Sequence, residues 1–279
     1  MDIFGIPLQA FLGQLLLGLV NGAFYAMLSL GLAVIFGLLG IINFAHGALY
    51  MVGAYAGWIL LNAFGINYWF ALVLAPLAVG ILGIVIERLF LRHLYKLDPL
   101  YGLLLTFGLA QIMEGIFRNQ YGVSGESYPV PDALAGATNL GFMVLPNYRA
   151  WAVLASLVVC LGTWFLIERT RLGAYLRAGT ENAPLVQAFG VNVPLMVMLT
   201  FGGGAALAGL AGVLASPIIQ VTPLMGSNLI IVVFAVVVIG GMGSILGSII
   251  SGLGLGVIEG FTRVFYPEAS NVIVFVGRL

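Results

Sequence analysis

From Leu8 to Leu61 the chain runs 54 residues as a single apolar tract. Laid out as a helix at 1.5 Å per residue it would reach roughly 80 Å, more than two bilayer cores of about 30 Å each. The tract therefore has to turn back inside itself. The place to turn is Gly37-Leu-Leu-Gly-Ile-Ile-Asn-Phe-Ala-His-Gly47, where three glycines, Asn43 and His46 interrupt the apolar run. Polar side chains at membrane depth are costly unless they face a protein interior or a hydrated path. Asn43, His46 and Gly47 accordingly become candidate path residues.

The rest of the chain fits the same picture. Hydrophobic residues make up 62% of the 279 positions and charged residues 7%, against roughly 45–50% and about 25% in a soluble domain. At roughly 20 residues per crossing, the apolar runs supply about eight spans, with broken or re-entrant segments among them. They are continuously apolar, whereas barrel strands would alternate over about ten residues, so the expected fold is an all-α, polytopic transmembrane bundle. Net charge is zero, so nothing points to nucleic acid, and the one cysteine, Cys160, lies inside an apolar run. No Lys or Arg precedes the first apolar run, which argues against a cleaved signal peptide and for a retained first span.

The spans are expected at about 69–86, 100–117, 150–167 and 195–215, then a descending segment at 228–238 and a last long span. Between the early ones, Arg88, Arg92 and Lys96 are spaced by four, which places them on one face of a helical extension. The longest polar segment, 119–148, holds Glu126 and Asp132 and has Arg118 and Arg149 only at its edges. By the positive-inside rule that loop is external, and the loops around Arg88 and Arg169 are cytoplasmic. Small residues of the 195–215 span (Ala205, Ala208, Gly209, Gly212) and two stripes of the last span (Gly243, Gly247 and Ser251; Gly252, Gly256 and Gly260) predict close backbone packing. Glu114 with Arg118 and Glu259 with Arg263 are four apart in the favourable order and read as structural pairs near the membrane edge.

Five charges, Glu168, Arg169, Arg171, Arg177 and Glu181, crowd into fourteen residues of this sparsely charged chain. This segment, about 168–194, is expected to contain a short helix capped by Thr180, with Pro184 in its first turn and Gly190 closing it in a left-handed conformation. Leu185, Val186 and Phe189 would share one side and form an apolar patch facing water. The alternatives are a docking element for a partner and an amphipathic helix lying on headgroups; mixed charge and a short apolar face favour docking.

Asn43 and His46 have two readings: interhelical hydrogen bonding, or a role in a substrate path through unwound backbone. Gly240, Gly241, Gly243 and Ser244, within Ile239-Gly-Gly-Met-Gly-Ser244, lack the Lys of a phosphate loop and fit a helix break better. Two histidines on different segments, His46 and His93, disfavour a metal site. No elbow or oxyanion hole surrounds Ser29 or Ser244, so enzyme chemistry is not expected. Ion-coupled secondary transport is the main rival to a partner-powered carrier, but the acidic residues cluster at span ends rather than at the midplane.

Gly37 to Tyr55, the charged segment, and Val238-Ile-Gly-Gly-Met-Gly-Ser-Ile-Leu-Gly247, in this order, resemble the permease subunits of bacterial branched-chain amino-acid ABC importers, the shorter of the two types. The resemblance runs from about Leu8 to Asn271. It implies an inner-membrane permease, one transmembrane domain over 1–279, that moves leucine, isoleucine, valine or a similar small solute. It implies four kinds of contact: a second permease, two cytoplasmic ATPase subunits that bind the ATP, an external solute-binding protein and the bilayer. No cofactor or metal is expected in this chain. The charged segment is similar to a coupling helix that fits a groove on the ATPase, with Ala178, Gly179, Glu181, Ala183, Ala188 and Gly190 matching the pattern. Arg177, Leu185 and Phe189 join them as candidate coupling residues. Members of the family usually continue past the position of Val276 through another apolar span, whereas this sequence stops at Leu279.

Overall fold

The computed structural model describes residues 2–3, 6–40, 42–95 and 97–265. Ten α-helices carry the fold: α1 (Leu8–Leu39), α2 (Ala45–Phe64), α3 (Tyr68–Leu89), α4 (Pro99–Tyr121), α5 (Asn147–Glu168), α6 (Arg171–Glu181), α7 (Ala183–Ala188), α8 (Val193–Ala215), α9 (Met225–Gly240) and α10 (Ile245–Phe265). Among the described residues, strand is confined to two short antiparallel pairs, Asp2–Ile3 with Ile6–Pro7 and Ala137–Asn139 with Val144–Pro146. Among the described residues, seven helices are long and apolar enough to cross a membrane, and α9, at 16 residues, is a further, shorter apolar helix. The chain is a multi-pass membrane protein. Much of α4 points outward, with Leu100, Leu104, Phe107, Ile112 and Ile116 exposed, as expected of a helix that faces lipid.

The long tract turns where its glycines fall. Gly40 stops α1 in the left-handed conformation (φ 68°), and its N–H reaches the Phe36 carbonyl 2.8 Å away. The chain does not leave the bundle to start α2. A Cβ at Gly31 of α1 would stand 2.8 Å from His46 Cε1 and 2.7 Å from the Gly204 carbonyl oxygen, and Gly204 is the middle residue of α8. The first turn of α2 therefore sits halfway through the bundle. From the opposite direction, α9 also starts at depth: Gly226 in its first turn lies backbone to backbone against Gly47, and a Cβ at either would overlap the other chain.

These two broken segments belong to a repeat run in opposite directions. The C-terminal end of α1 and the start of α8 face one cavity, so the two helices are antiparallel. Each is followed by a connection that turns inward, by a helix that begins at depth (α2, α9), and by a helix that returns along the other half's first helix. Thus Gly80 of α3 meets Ala206 of α8 while Gly252 of α10 meets Ala26 of α1; Ile84 meets Gly202 while Gly256 meets Gly22. Such antiparallel repeats with interrupted helices at their junction are a recurrent plan in membrane transporters. The predicted small-residue stripes are the contact surfaces: Gly252, Gly256 and Gly260 pack on α1, whereas Gly247 packs on Gly240 and the Ser251 hydroxyl donates to the Val236 carbonyl of α9 (2.8 Å).

Two expectations fail. The helix bearing Arg88 does not continue to carry Arg92 on the same face: α3 ends at Leu89, and a 3-10 turn at Leu91–His93 redirects the chain. Lys96, the third residue of that pattern, lies outside the described residues, as do 270–279. The short helix after residue 179 is also not capped by Thr180, whose hydroxyl donates back to the Arg177 carbonyl (2.7 Å) inside α6; Asn182 caps α7 by accepting from the Leu185 N–H (3.1 Å).

Candidate functional site

Two regions hold the candidate path residues, and α9 runs between them. Asn43, His46 and Gly47 lie at mid-depth, where α2 starts. Gly240, Gly241, Gly243 and Ser244 lie at the far end of α9, in the turn into α10, which packs on Gly37 at the end of α1. Sixteen residues of helix separate the two groups, roughly 24 Å at 1.5 Å per residue. Gly241 and Gly243 take φ of 90° and 92°, values that L side chains rarely adopt, so this turn depends on glycine.

At mid-depth the polar atoms are sealed in. Asn43 and His46 are both 0% exposed. The His46 Nε2 lies 2.9 Å from the Leu28 carbonyl oxygen of α1. A carbonyl only accepts, so Nε2 carries the proton and donates; in the neutral ring Nδ1 is then left with a bare lone pair. That atom and both amide atoms of Asn43 have no hydrogen-bond partner. Asn43 does not cap α2 with its side chain either; only its backbone carbonyl takes part, accepting from the His46 N–H (3.3 Å). The interhelical-bonding reading thus holds for half of His46 and for none of Asn43.

The residue that does hold the break comes from another helix. Thr106 of α4 donates its hydroxyl to the Ile42 carbonyl (3.2 Å) and to Leu103 in its own helix (3.1 Å), and accepts from the Phe44 N–H (3.2 Å). Phe44 is clasped between Phe234 of α9 and Phe107 of α4, with ring centroids 4.9 and 6.3 Å away. Sequence reading missed Thr106, because its partners are backbone groups more than sixty residues away.

At the other end, the charged segment folds into two helices. A Cβ at Gly173 would run into the Ile167 carbonyl, so only glycine permits the tight bend from α5 into α6. Gly173, Leu176 and Gly179 recur every three residues and form the buried side of α6, with Gly179 against Val193 at the start of α8. Arg177 pairs with Glu168 at 3.3 Å across the bend, while Ala178 and Glu181 face outward and Ala183 is half-buried. Pro184 stands in the first turn of α7, and Gly190 (φ 83°) ends it as expected. The apolar patch is narrower than predicted: Val186 turns inward, but Leu185 is 54% and Phe189 79% exposed.

Behind these helices lies an open cavity of about 1130 Å³, bounded by the ends of α1 and α3 and the start of α8. Glu87 lines it and is only 3% exposed; its Oε1 accepts from the Tyr95 hydroxyl at 2.7 Å. Partial burial, reinforced by that bond and by the Glu87 charge, pushes the Tyr95 phenol well above its usual range, so it stays a donor. Glu259, the matching residue of α10, is 6% exposed and accepts from Tyr25 at 2.8 Å, with Arg263 2.5 Å away. The predicted Glu114–Arg118 pair also forms, at 3.1 Å. Among the described residues, no cluster of three metal-binding side chains exists.

Comparison with known proteins adds a family to this geometry. Residues 14–277 match the family described as branched-chain amino acid transport system, permease component. The chain is 31% identical to the high-affinity branched-chain amino acid transport system permease protein BraD of Pseudomonas aeruginosa, over 95% of this chain and 91% of that protein. It is 29% identical to LivH of Escherichia coli K12 over 95% and 90% of the two chains. With the LivM permease of the same organism, 27% identity extends over 86% of this chain and 62% of that protein. No solved structure matches the chain.

Proposed function

Because the chain belongs to the branched-chain amino acid transport permease family, we propose that it is the membrane-spanning subunit of an ATP-driven importer of leucine, isoleucine, valine or a closely similar solute. The observation that carries the coupling part of this reading is α7: a capped, six-residue helix that, with Phe189 just after it, presents Leu185 and Phe189 to water, neither covered by any other of the described residues. Exposed apolar side chains on a rigid, polar-rimmed element fit a groove on a partner. In this reading α6 and α7 lie in the cytoplasm of a bacterial cell, the 119–148 loop lies outside the inner membrane, and the partner at α7 is one of two ATPase subunits. A second permease and an external solute-binding protein complete the assembly. This chain is then not an enzyme; ATP is bound and cleaved on the partners.

Movement at α7 has a short route inward. Gly179 of α6 rests on the start of α8, α8 carries Gly204 at the level of His46, and α9 joins that level to the Gly240–Ser244 turn. Asn43, His46 and Gly47, with that turn, are assigned to the gate: the Asn43 amide and the His46 Nδ1 are unpaired in the closed packing and gain partners when α2 and α9 part.

Uptake of labelled leucine into vesicles that contain the co-expressed assembly tests the reading. ATP-driven uptake that survives a protonophore is expected. Uptake that needs no ATP and collapses with the proton or sodium gradient would replace this reading with ion-coupled transport.

A further inference from the structure

The cavity behind α6 and α7 is lined by basic as well as apolar side chains. Arg88, from the last turn of α3, and Arg92 and His93, from the turn after it, line one end. Among the described residues the ion pairs are Arg118 with Glu114, Arg177 with Glu168 and Arg263 with Glu259. Arg88 and Arg92 thus face the cavity with no carboxylate in ion-pair range. The one acidic lining residue, Glu87, is buried and already bonded to Tyr95. The remaining lining is mixed: Phe36 and Leu39 from α1 and Val197 and Met198 from α8 supply apolar side chains, and Thr180, Gln187 and Asn192 supply uncharged polar ones.

Two unpaired guanidiniums at the end of a bundle, in a cavity whose lining also offers apolar side chains, suit a ligand of matching polarity. Basic pockets between membrane helices take anionic head groups, and guanidinium pairs carboxylate or phosphate oxygens through parallel N–H donors. We propose that this cavity binds a singly charged anionic group, carboxylate or phosphodiester, attached to an apolar body. Two sources share that chemistry: an acidic phospholipid of the surrounding leaflet, or the carboxylate of a branched-chain amino acid on its way out. The second source rests on the function proposed above; the first does not. Either occupant would lie between the membrane bundle and the coupling helices.

The test uses the full-length chain purified into lipid discs without partners. Native mass spectrometry counts phosphatidylglycerol retained from a mixture with phosphatidylcholine, and equilibrium binding compares L-leucine with L-leucinamide, which lacks the carboxylate. In at least one arm the anion is preferred, and the Arg88→Ala, Arg92→Ala double variant weakens it by about thirtyfold, the product of two basic contacts near a membrane surface. The Arg88→Lys, Arg92→Lys variant keeps the charge and retains most of the binding, which also controls for misfolding. Lipid preference alone names the leaflet as the source; leucine preference alone names the solute. If the alanine variant matches the unaltered protein in both arms, the proposal is overturned. ATP-driven uptake by the full assembly is read separately, so failure of the importer reading and failure of the anion site cannot be confused.

Discussion

The mid-depth crossing and the α6–α7 segment are built on opposite rules. Where α2 meets α9, Gly47 and Gly226 bring backbone against backbone, and the Asn43 amide and His46 Nδ1 beside them are sealed away from both water and partners. At α7, apolar side chains are held out into water by a short helix whose cap, first turn and terminating glycine are all in place. A crossing with no spare volume can only part or stay shut, whereas an exposed apolar pair is incomplete until something covers it. The difference teaches where each can act: the first suits a two-position gate, the second a contact.

The comparison is sharpened most by filling the crossing. Gly226→Val forces a side chain into the Gly47 backbone and should abolish folded, inserted protein, read as loss of the monodisperse peak on size exclusion; overpacking of ordinary cores costs about 1–3 kcal/mol, and here the obstacle is main chain. A variant of α7 such as Leu185→Ser should leave that peak unchanged. If both variants behave alike, the two regions do not differ as described.

Next in size is the clasp. Thr106→Val removes the acceptor for the Phe44 N–H and the donor to Ile42, stranding backbone polar groups inside the bundle. A loss of about 1–3 kcal/mol per unpaired group is expected, seen as a lower thermal midpoint in detergent. An unshifted midpoint would mean that the break is held by glycine packing alone. Smaller still are the two tyrosine bonds: Tyr95→Phe and Tyr25→Phe each lose one hydrogen bond to a carboxylate, about 1.5–3 kcal/mol where the acceptor stays charged. Because Glu87 and Glu259 hold equivalent places in the antiparallel halves, the two losses should be similar, and a large asymmetry would break the equivalence.

Much of this organisation was legible in the sequence because it follows from lengths and residue sizes. A 54-residue apolar tract must fold back, and it does so at the glycines that interrupt it; the paired stripes of the last span found the two neighbours they required. The antiparallel repeat was also on the page, since Val85-Ile86-Glu87 recurs as Val257-Ile258-Glu259, but a three-residue echo gains meaning only when Gly80 and Gly252 are seen in matching contacts. The capping error has a local cause. Gly173, Leu176 and Gly179 at a three-residue interval mark Arg171–Glu181 as helix, so Thr180 was interior and the cap fell to Asn182, directly before Ala183-Pro184. Thr106 had no local signal at all, because a threonine on a lipid-facing helix declares its role only through the chain packed beside it. Arg92 left the face of Arg88 because the chain turned at Phe90, where no glycine or proline announces the stop.

The most direct test of the claim that α7 meets an ATPase is a contact measurement. With the native Cys160 buried in α5, a Phe189→Cys variant offers a single reactive thiol, and a short bifunctional reagent is applied to membranes that contain the whole assembly. A cross-linked product of this chain with the ATPase subunit, lost when the introduced cysteine stands in the 119–148 loop instead of at position 189, is the predicted result. A thiol at position 189 that labels freely in the intact assembly and never joins the ATPase would contradict it.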